Sequence, residues 1–333
     1  MSVNLKQIAN EAGVSVPSVS RVLSGGPGFS EATRKRVLEV AERLKYRPNM
    51  LVKAMQTGRT GAIGVMIPPL DQFLSSILLG VHEVLAHRDY VPMLLWAQSD
   101  LPELEQIHRL IDRRVDGVIL FPTEDSAPDN YLSEVWERGL PLVTVDRRMP
   151  HTHADFSGTD DIAGAELAAQ HLLSLGHRNF IHLSACPSIS TSKDRWQAFR
   201  DCIEAVEGTT VRRVVAKDFR SGYQPALEFL QAPDRPTAVF AGNDLLAVSV
   251  IQAARDVGIS VPGSLSVVGY SDLTEARSVT PSLTTLRQNP QQLGRTAAQL
   301  IFDRLEERIS SSSSAVLLNR PELIVRGSTS KKA

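Results

Sequence analysis

Through the first 45 positions, apolar residues recur at helical spacing. In LKQIANEAG (5–13), Leu5, Ile8, Ala9 and Ala12 fall three and four apart, on one face of a helix. Gly13 lets the chain turn where a Cβ would strain it. Ser15 is placed to cap a second helix over 16–23, with Pro17 in its first turn, where a missing N–H costs little. Val19, Val22 and Leu23 would face inward, and a third helix is expected from about Ser30 to Leu44. With Leu5 as first position, Ala falls fifth, Gly ninth, and Val fifteenth and eighteenth. A small residue admits a close approach, Gly turns the chain, and the two Val side chains fill the shared core, which is the helix-turn-helix pattern.

From residue 62 the pattern changes. Short apolar runs, AIGVMI (62–67), VPMLLW (91–96), DGVILF (116–121), LPLVTV (140–145), NFIHLS (179–184), TAVFA (237–241) and LSVVGY (265–270), alternate with longer amphipathic stretches. Continuous apolar runs of this length are expected of strands buried on both faces, and their alternation with helices predicts an α/β fold with parallel sheets. A restart of the pattern near residue 159 predicts two lobes. Ligands bind beyond the carboxyl ends of such strands. The polar residues there are Asp71, Asp146, Asn243, Asp244, Ser271 and Asp272, which points to one cleft between the lobes.

The 333 residues carry 36 Lys and Arg against 37 Asp and Glu, a net charge of −1. The distribution is uneven: residues 1–60 hold ten basic and four acidic residues, a charge of +6, which leaves −7 on the rest. A basic head on an acidic body suggests a polyanionic partner for the head alone. Hydrophobic content of 42% and charged content of 22% argue against a disordered chain. Two cysteines, Cys186 and Cys202, argue against a disulfide framework and read as buried or inert thiols. No apolar run is long enough for a membrane span, and MSVNLKQIANEAGV lacks a secretory signal, so a cytoplasmic protein is expected.

IANEAGVSVPSVSRVLSG, FSEATRKRVLEVAERLKYRPN and GRTGAIGVMIP resemble the lactose/galactose-repressor (LacI/GalR) family. RRVDGVIL, PLVTVDRR, AVFAGNDLLAVSV, SVVGYSDL and PSLTTLRQNP extend the likeness from about residue 3 to 327. The resemblance implies a small all-α helix-turn-helix DNA-binding head over 1–46, a hinge helix or linker over 47–60, and an effector-binding, dimerising body over 61–330. That body would be two-lobed and periplasmic-binding-protein-like, with doubly wound parallel sheets. Lobe one is expected at about 61–158 plus 290–318, and lobe two at about 159–289 plus 319–330. The implied function is a homodimeric transcription regulator, a repressor, acting on a pseudo-palindromic DNA operator under control of a small effector. No cofactor is implied.

By the same resemblance, Val16 and Pro17 start the helix that enters the major groove, and Arg21 lies one turn further on. An arginine can bond bidentately to guanine, whereas Val16 and Pro17 offer only apolar contact. Ser18, Ser20 and Asn49 match positions that touch phosphates, which orient the head without specifying sequence. Met55, in PNMLVKAMQTG (48–58), matches the apolar wedge that enters the minor groove. In the body, Phe73 matches an apolar wall and Asp146 a carboxylate that accepts ligand hydroxyls. Arg195 matches a pocket arginine, although Ala198 replaces the glycine of that segment. Phe219 matches a stacking aromatic and Asn243 an amide. An aromatic with Asp, Asn and Arg suits a polyol, so a sugar or sugar derivative is the expected effector. Singly, Arg195 also reads as a salt-bridged surface residue and Phe219 as core.

One departure matters. The family commonly has an acid where GYSDL places Ser271, and a hydroxyl accepts weaker hydrogen bonds than a carboxylate. A nucleoside or nucleobase acting as co-repressor, or a phosphorylated ligand, therefore stays open, with Asp272 as a substitute acid. A transport-type sugar-binding protein is the other class, and the attached head argues against it. Nothing resembles a nucleophile elbow, a phosphate-binding loop or a dinucleotide fingerprint, so no enzyme is expected. Asp160 and Asp161 read as helix caps. His151 and His153 lack a third metal ligand.

Overall fold

The structure is a computed structural model that describes residues 3–46, 54, 58–97, 103–122, 132–149, 154–310 and 313–332. Two compact units meet at Thr60 and Gly61.

The first unit is helical. Helices span Leu5–Ala12, Val16–Leu23 and Glu31–Arg43. Asn4 opens the first through a reciprocal capping box with Gln7, and Gly13 closes it in the left-handed region at φ +65°. Ser15 and Ser30 cap the other two. Ile8, Ala9, Ala12, Val19, Val22, Val37, Val40 and Ala41 form one small core. Arg34 Nη2 donates to the Gly26 carbonyl at 2.7 Å, tying the third helix to the loop that leaves the second. The expected hinge residues 47–57 lie, apart from Ala54, outside the described residues.

The second unit contains two six-stranded sheets. In the first the order is β11 (Val316–Asn319), β5 (Asp155–Thr159), β4 (Leu142–Val145), β3 (Gly117–Leu120), β1 (Ala62–Ile67) and β2 (Val91–Trp96), all parallel. The second runs β12 (Glu322–Ile324), β10 (Thr284–Arg287), β9 (Ser266–Ser271), β8 (Ala238–Ala241), β6 (Asn179–Ser184) and β7 (Thr210–Val215). Only β12 is antiparallel, on β10, because the last crossover delivers the chain to that edge in the opposite sense. Thr159 and Asn319 pair as the last residues of their strands in the first sheet. Each sheet has a buried apolar layer on both faces, as fully covered parallel sheets require.

The chain passes between the lobes three times, after β5, after β10 and after β11. The second passage leads into the helix Pro290–Leu305, which packs on the first-lobe helix Gln72–His87. Asn289 caps the returning helix, and Pro290 occupies its first turn. At the far end of the chain, Lys332 N donates to the Leu175 carbonyl at 2.8 Å, and His177 Nε2 lies 2.9 Å from Ser266 Oγ. His177 is therefore buried against the C-terminal segment. No helix among the described residues is long and apolar enough to cross a membrane.

Candidate functional site

On the head, the second helix buries Val19 and Val22, which directs Val16, Pro17 and Arg21 outward. Val16 opens that helix at 38% exposure. Arg21 is exposed, and its guanidinium makes no hydrogen bond or ion pair among the described residues. A free planar fork on an exposed helix face is what bidentate contact to a base edge requires. Ser18 Oγ lies 2.8 Å from Ser15 Oγ, so it belongs to the cap, and Ser20 is half-buried. Asn49 and Met55 lie outside the described residues.

On the body, the backbone marks the strand ends. Asp146 follows β4 at φ +65°, while Ser271 ends β9 at φ +129° and Asp272 follows at φ +57°. Side chains other than glycine rarely adopt such angles, and they concentrate at functional sites. The Asp146 carboxylate is 14% exposed and accepts no hydrogen bond among the described residues; Arg147 Nε stands 3.8 Å from it. Burial outweighs the attraction of Arg147 and Arg195 and raises its pKa to about 6. The molecule thus holds a largely desolvated carboxylate at this strand end.

Arg195 is buried, not a surface salt bridge. Its Nε donates to Asp161 Oδ1 at 2.8 Å and its Nη1 to the Gly242 carbonyl at 2.7 Å, with Cζ 3.7 Å above the Tyr270 ring. Burial opposes its charge, but Asp161 foremost outweighs burial and raises the pKa. Arg195 of lobe two and Asp146 of lobe one also attract each other electrostatically. Beside Gly242, Asn243 caps the helix Asp244–Asp256: its Oδ1 accepts from Leu246 N at 2.9 Å, leaving the amide nitrogen to donate. Phe73 packs on the first-lobe core, whereas Phe219, 38% exposed at the start of the helix Phe219–Gln231, belongs to no core cluster. Among the described residues no hydrogen bond or ring contact ties the Phe219 side chain to the other expected residues.

Two acids expected at the cleft are engaged elsewhere. Asp272, with a side chain 1% exposed, is held by Arg326, by Arg287 Nε at 2.8 Å and by Arg277 Nη2 at 3.3 Å, so it does not replace the missing acid beside Ser271. Asp244 is fully buried, accepting from Leu273 N at 2.8 Å and Thr285 Oγ1 at 2.5 Å. Conversely, Asp160 caps its helix as expected, through Ala163 N at 3.0 Å, but Asp161 pairs with Arg195. Burial raises the Asp161 pKa against the pull of Arg195. Cys186 is half-exposed rather than buried, and Ser188 foremost, with Arg147 and Lys217, lowers its pKa. Cys202 is pushed up by burial. His151 and His153 lie outside the described residues, and among the described ones no group of three metal-ligating side chains converges.

The lobes touch at both sides of the cleft. Gln72 Nε2 donates to Thr274 Oγ1 at 2.6 Å, and Thr274 N returns a bond to Gln72 Oε1 at 3.2 Å. Arg148 pairs with Asp194, and its backbone N–H donates to Ser190 Oγ at 2.9 Å. A narrow cavity beside the Arg148–Asp194 contact is lined by Asp146, Arg148, Thr159, Asp161 and Asp194, with Ile162 and Leu318 among its apolar residues; of the expected effector residues it takes in Asp146 alone.

A helix-turn-helix head and a two-lobed body with charged strand ends define a DNA-binding transcription regulator. Residues 4–49 match the family described as bacterial regulatory proteins, lacI family, and residues 169–329 match the periplasmic binding protein-like domain. The transcriptional regulator DegA of Bacillus subtilis (strain 168) is 30% identical over 341 residues, covering 99% of each chain. The transcriptional repressor PurR of Mannheimia succiniciproducens is 29% identical over 337 residues, again covering 99% of each. The transcriptional regulator CelR in complex with cellobiose superposes with a TM-score of 0.72 at 28% identity, over 98% of this chain and 99% of that one. The chain belongs to the LacI family of transcription regulators.

Proposed function

We propose that the protein is a non-enzymatic, cytoplasmic repressor whose operator affinity is set by a polyhydroxylated effector, a sugar or sugar derivative, bound between the lobes. The carrying observation is Asp146: a carboxylate 14% exposed, at a strand end, with no hydrogen bond of its own among the described residues. Vicinal hydroxyls would supply its missing donors, while the Arg195 Nη2, the Asn243 amide and the Ser271 hydroxyl meet ligand oxygens and the exposed Phe219 ring covers an apolar sugar face. The cellobiose bound to CelR supports this ligand class. The effector shifts the equilibrium between lobe arrangements only through its different affinity for them.

In this reading Val16, Pro17 and Arg21 read base edges, Ser18, Ser20 and Asn49 contact phosphates, and Met55 in the 47–60 hinge wedges the minor groove. Two heads require a dimer and a pseudo-palindromic operator. The exposed Leu79, Val91, Leu94 and Trp96, on the first-lobe helix Gln72–His87 and the edge strand β2, offer an apolar face for the second copy.

Fluorescence anisotropy with the palindromic DNA upstream of the protein's own gene tests the head. Arg21→Ala should cost about 1–3 kcal/mol of specific affinity and leave weak binding to scrambled DNA little changed. Equal losses on both DNAs would remove Arg21 from base reading.

A thermal-shift panel of cellobiose, D-ribose, sugar phosphates and inosine tests the cleft, because a bound ligand stabilises by mass action. Hydroxyl donors favour ionised Asp146, whose pKa is about 6 before ligand binds. Affinity should therefore be full well above that pH and fall roughly tenfold per pH unit below it. A panel hit whose dissociation constant stays flat from pH 7.5 to 5 would exclude Asp146 as its acceptor.

A further inference from the structure

The Ser271 hydroxyl has one hydrogen-bond partner among the described residues, and that partner also reaches the other lobe. Gln288 Nε2 donates to Ser271 Oγ at 3.0 Å, and Gln288 Oε1 accepts from Thr159 Oγ1 at 2.7 Å. All three residues are buried, at 8%, 5% and 5% exposure for Ser271, Gln288 and Thr159. Thr159 ends the first-lobe strand β5, Ser271 ends the second-lobe strand β9, and Gln288 lies in the second crossover, just before the helix Pro290–Leu305. The third crossover passes the same point, where Asp160 N donates to the Asn319 carbonyl at 2.9 Å.

We infer that Gln288 is a positioning residue that couples Ser271 to the first lobe and sets the angle between the lobes. The inference rests on reading Ser271 as a cleft residue. A carboxamide suits the place because it offers a donor and an acceptor in a fixed plane, one for each lobe. Ser271 Oγ accepts from Gln288, so its own hydrogen is left for a ligand acceptor. Ser271 is also held in a strained backbone conformation, so a ligand that moves its hydroxyl pulls on Gln288, and through it on Thr159 and on the start of a helix packed in the other lobe. In this arrangement Ser271 does what an acid there would not: it presents a donor to the effector while staying tied to the crossover.

Distance measurement between spin labels on the full-length protein tests the coupling. Labels at Arg113→Cys in lobe one and Glu207→Cys in lobe two, both exposed positions, are read in a Cys186→Ser, Cys202→Ser background. Thr159→Val is nearly isosteric and removes only the donor to Gln288, so it should shift or broaden the interlobe distance distribution, and Gln288→Met should do the same. Thr159→Ser keeps the hydroxyl and should restore the original distribution. A purely structural role would instead lower the melting temperature and leave the distance unchanged in both variants, and that result overturns the proposal. If Gln288→Met fails to fold, Thr159→Val and Thr159→Ser decide alone. No small molecule is added, so a shifted distance stands even where the sugar panel gives no hit, and a panel hit does not rescue the bridge where the distance stays fixed.

Discussion

Arg195→Met is expected to lower the unfolding free energy by about 3–5 kcal/mol, because it leaves the buried Asp161 carboxylate without its counter-ion. Both partners are less than a tenth exposed, and among the described residues the 2.8 Å contact is the cation's only carboxylate bond. Part of the loss should return in Arg195→Met/Asp161→Asn, since an amide is cheaper to bury than an unpaired charge. Urea unfolding of the two single variants and the double variant measures the coupling. The effector response separates structure from binding. A ligand found in the thermal panel should fail to shift either Arg195 variant, including the double variant with recovered stability. A restored response in the double variant would make Arg195 a strut for Asp161 and remove it from the ligand.

That pair also shows what was legible in the sequence. Arg195 is found through its family segment, but Asp161 reads as a cap, because a carboxylate at a helix start ordinarily is one. Its partner is 34 positions away, a distance that no local pattern spans. Asp272 fails for the same reason in reverse. Beside Ser271 it resembles a spare ligand acid, yet arginines at 277, 287 and 326 converge on it from three separate segments of the chain.

The fold divides along similar lines. AIGVMI, VPMLLW and NFIHLS coincide with strands to the residue, and the capped helices of the head start where Ser15 and Ser30 place them. The strands outside the seven apolar runs are β5 (DFSGT), β7 (TVRRVV), β10 (TTLR), β11 (VLLN) and β12 (ELI). β7, β11 and β12 are sheet edges, where one side lacks a neighbour and exposed or charged residues are tolerated. β5 and β10 end at crossovers, and the Thr159 hydroxyl at the end of β5 bonds to Gln288 there. Gln288, the carboxamide between the lobes, carries no sequence signal of its own. Its role comes from three crossovers meeting at one point.

The helix contact that receives the second crossover carries the other large expected effect. Gly80 and Gly294 face each other's helix so closely that a Cβ on Gly294 would stand 2.0 Å from the Ile77 carbonyl oxygen, and one on Gly80 would stand 2.0 Å from that of Gln291. The obstructing atoms are backbone, so no rotamer change relieves the clash; one helix must move. Gly294→Val should therefore cost about 3 kcal/mol or more, at or beyond the upper end of ordinary overpacking, and Gly294→Ala should already be clearly destabilising despite its better helix propensity. Thr296→Ala, two residues along the same half-exposed helix, should change the urea midpoint little. Displacement of this helix also drags on Gln288, two residues before its first turn. Gly294→Ala should accordingly alter the interlobe distance as well as stability. A stable Gly294→Val protein with an unchanged midpoint would mean that the two helices pack further apart than the structure places them.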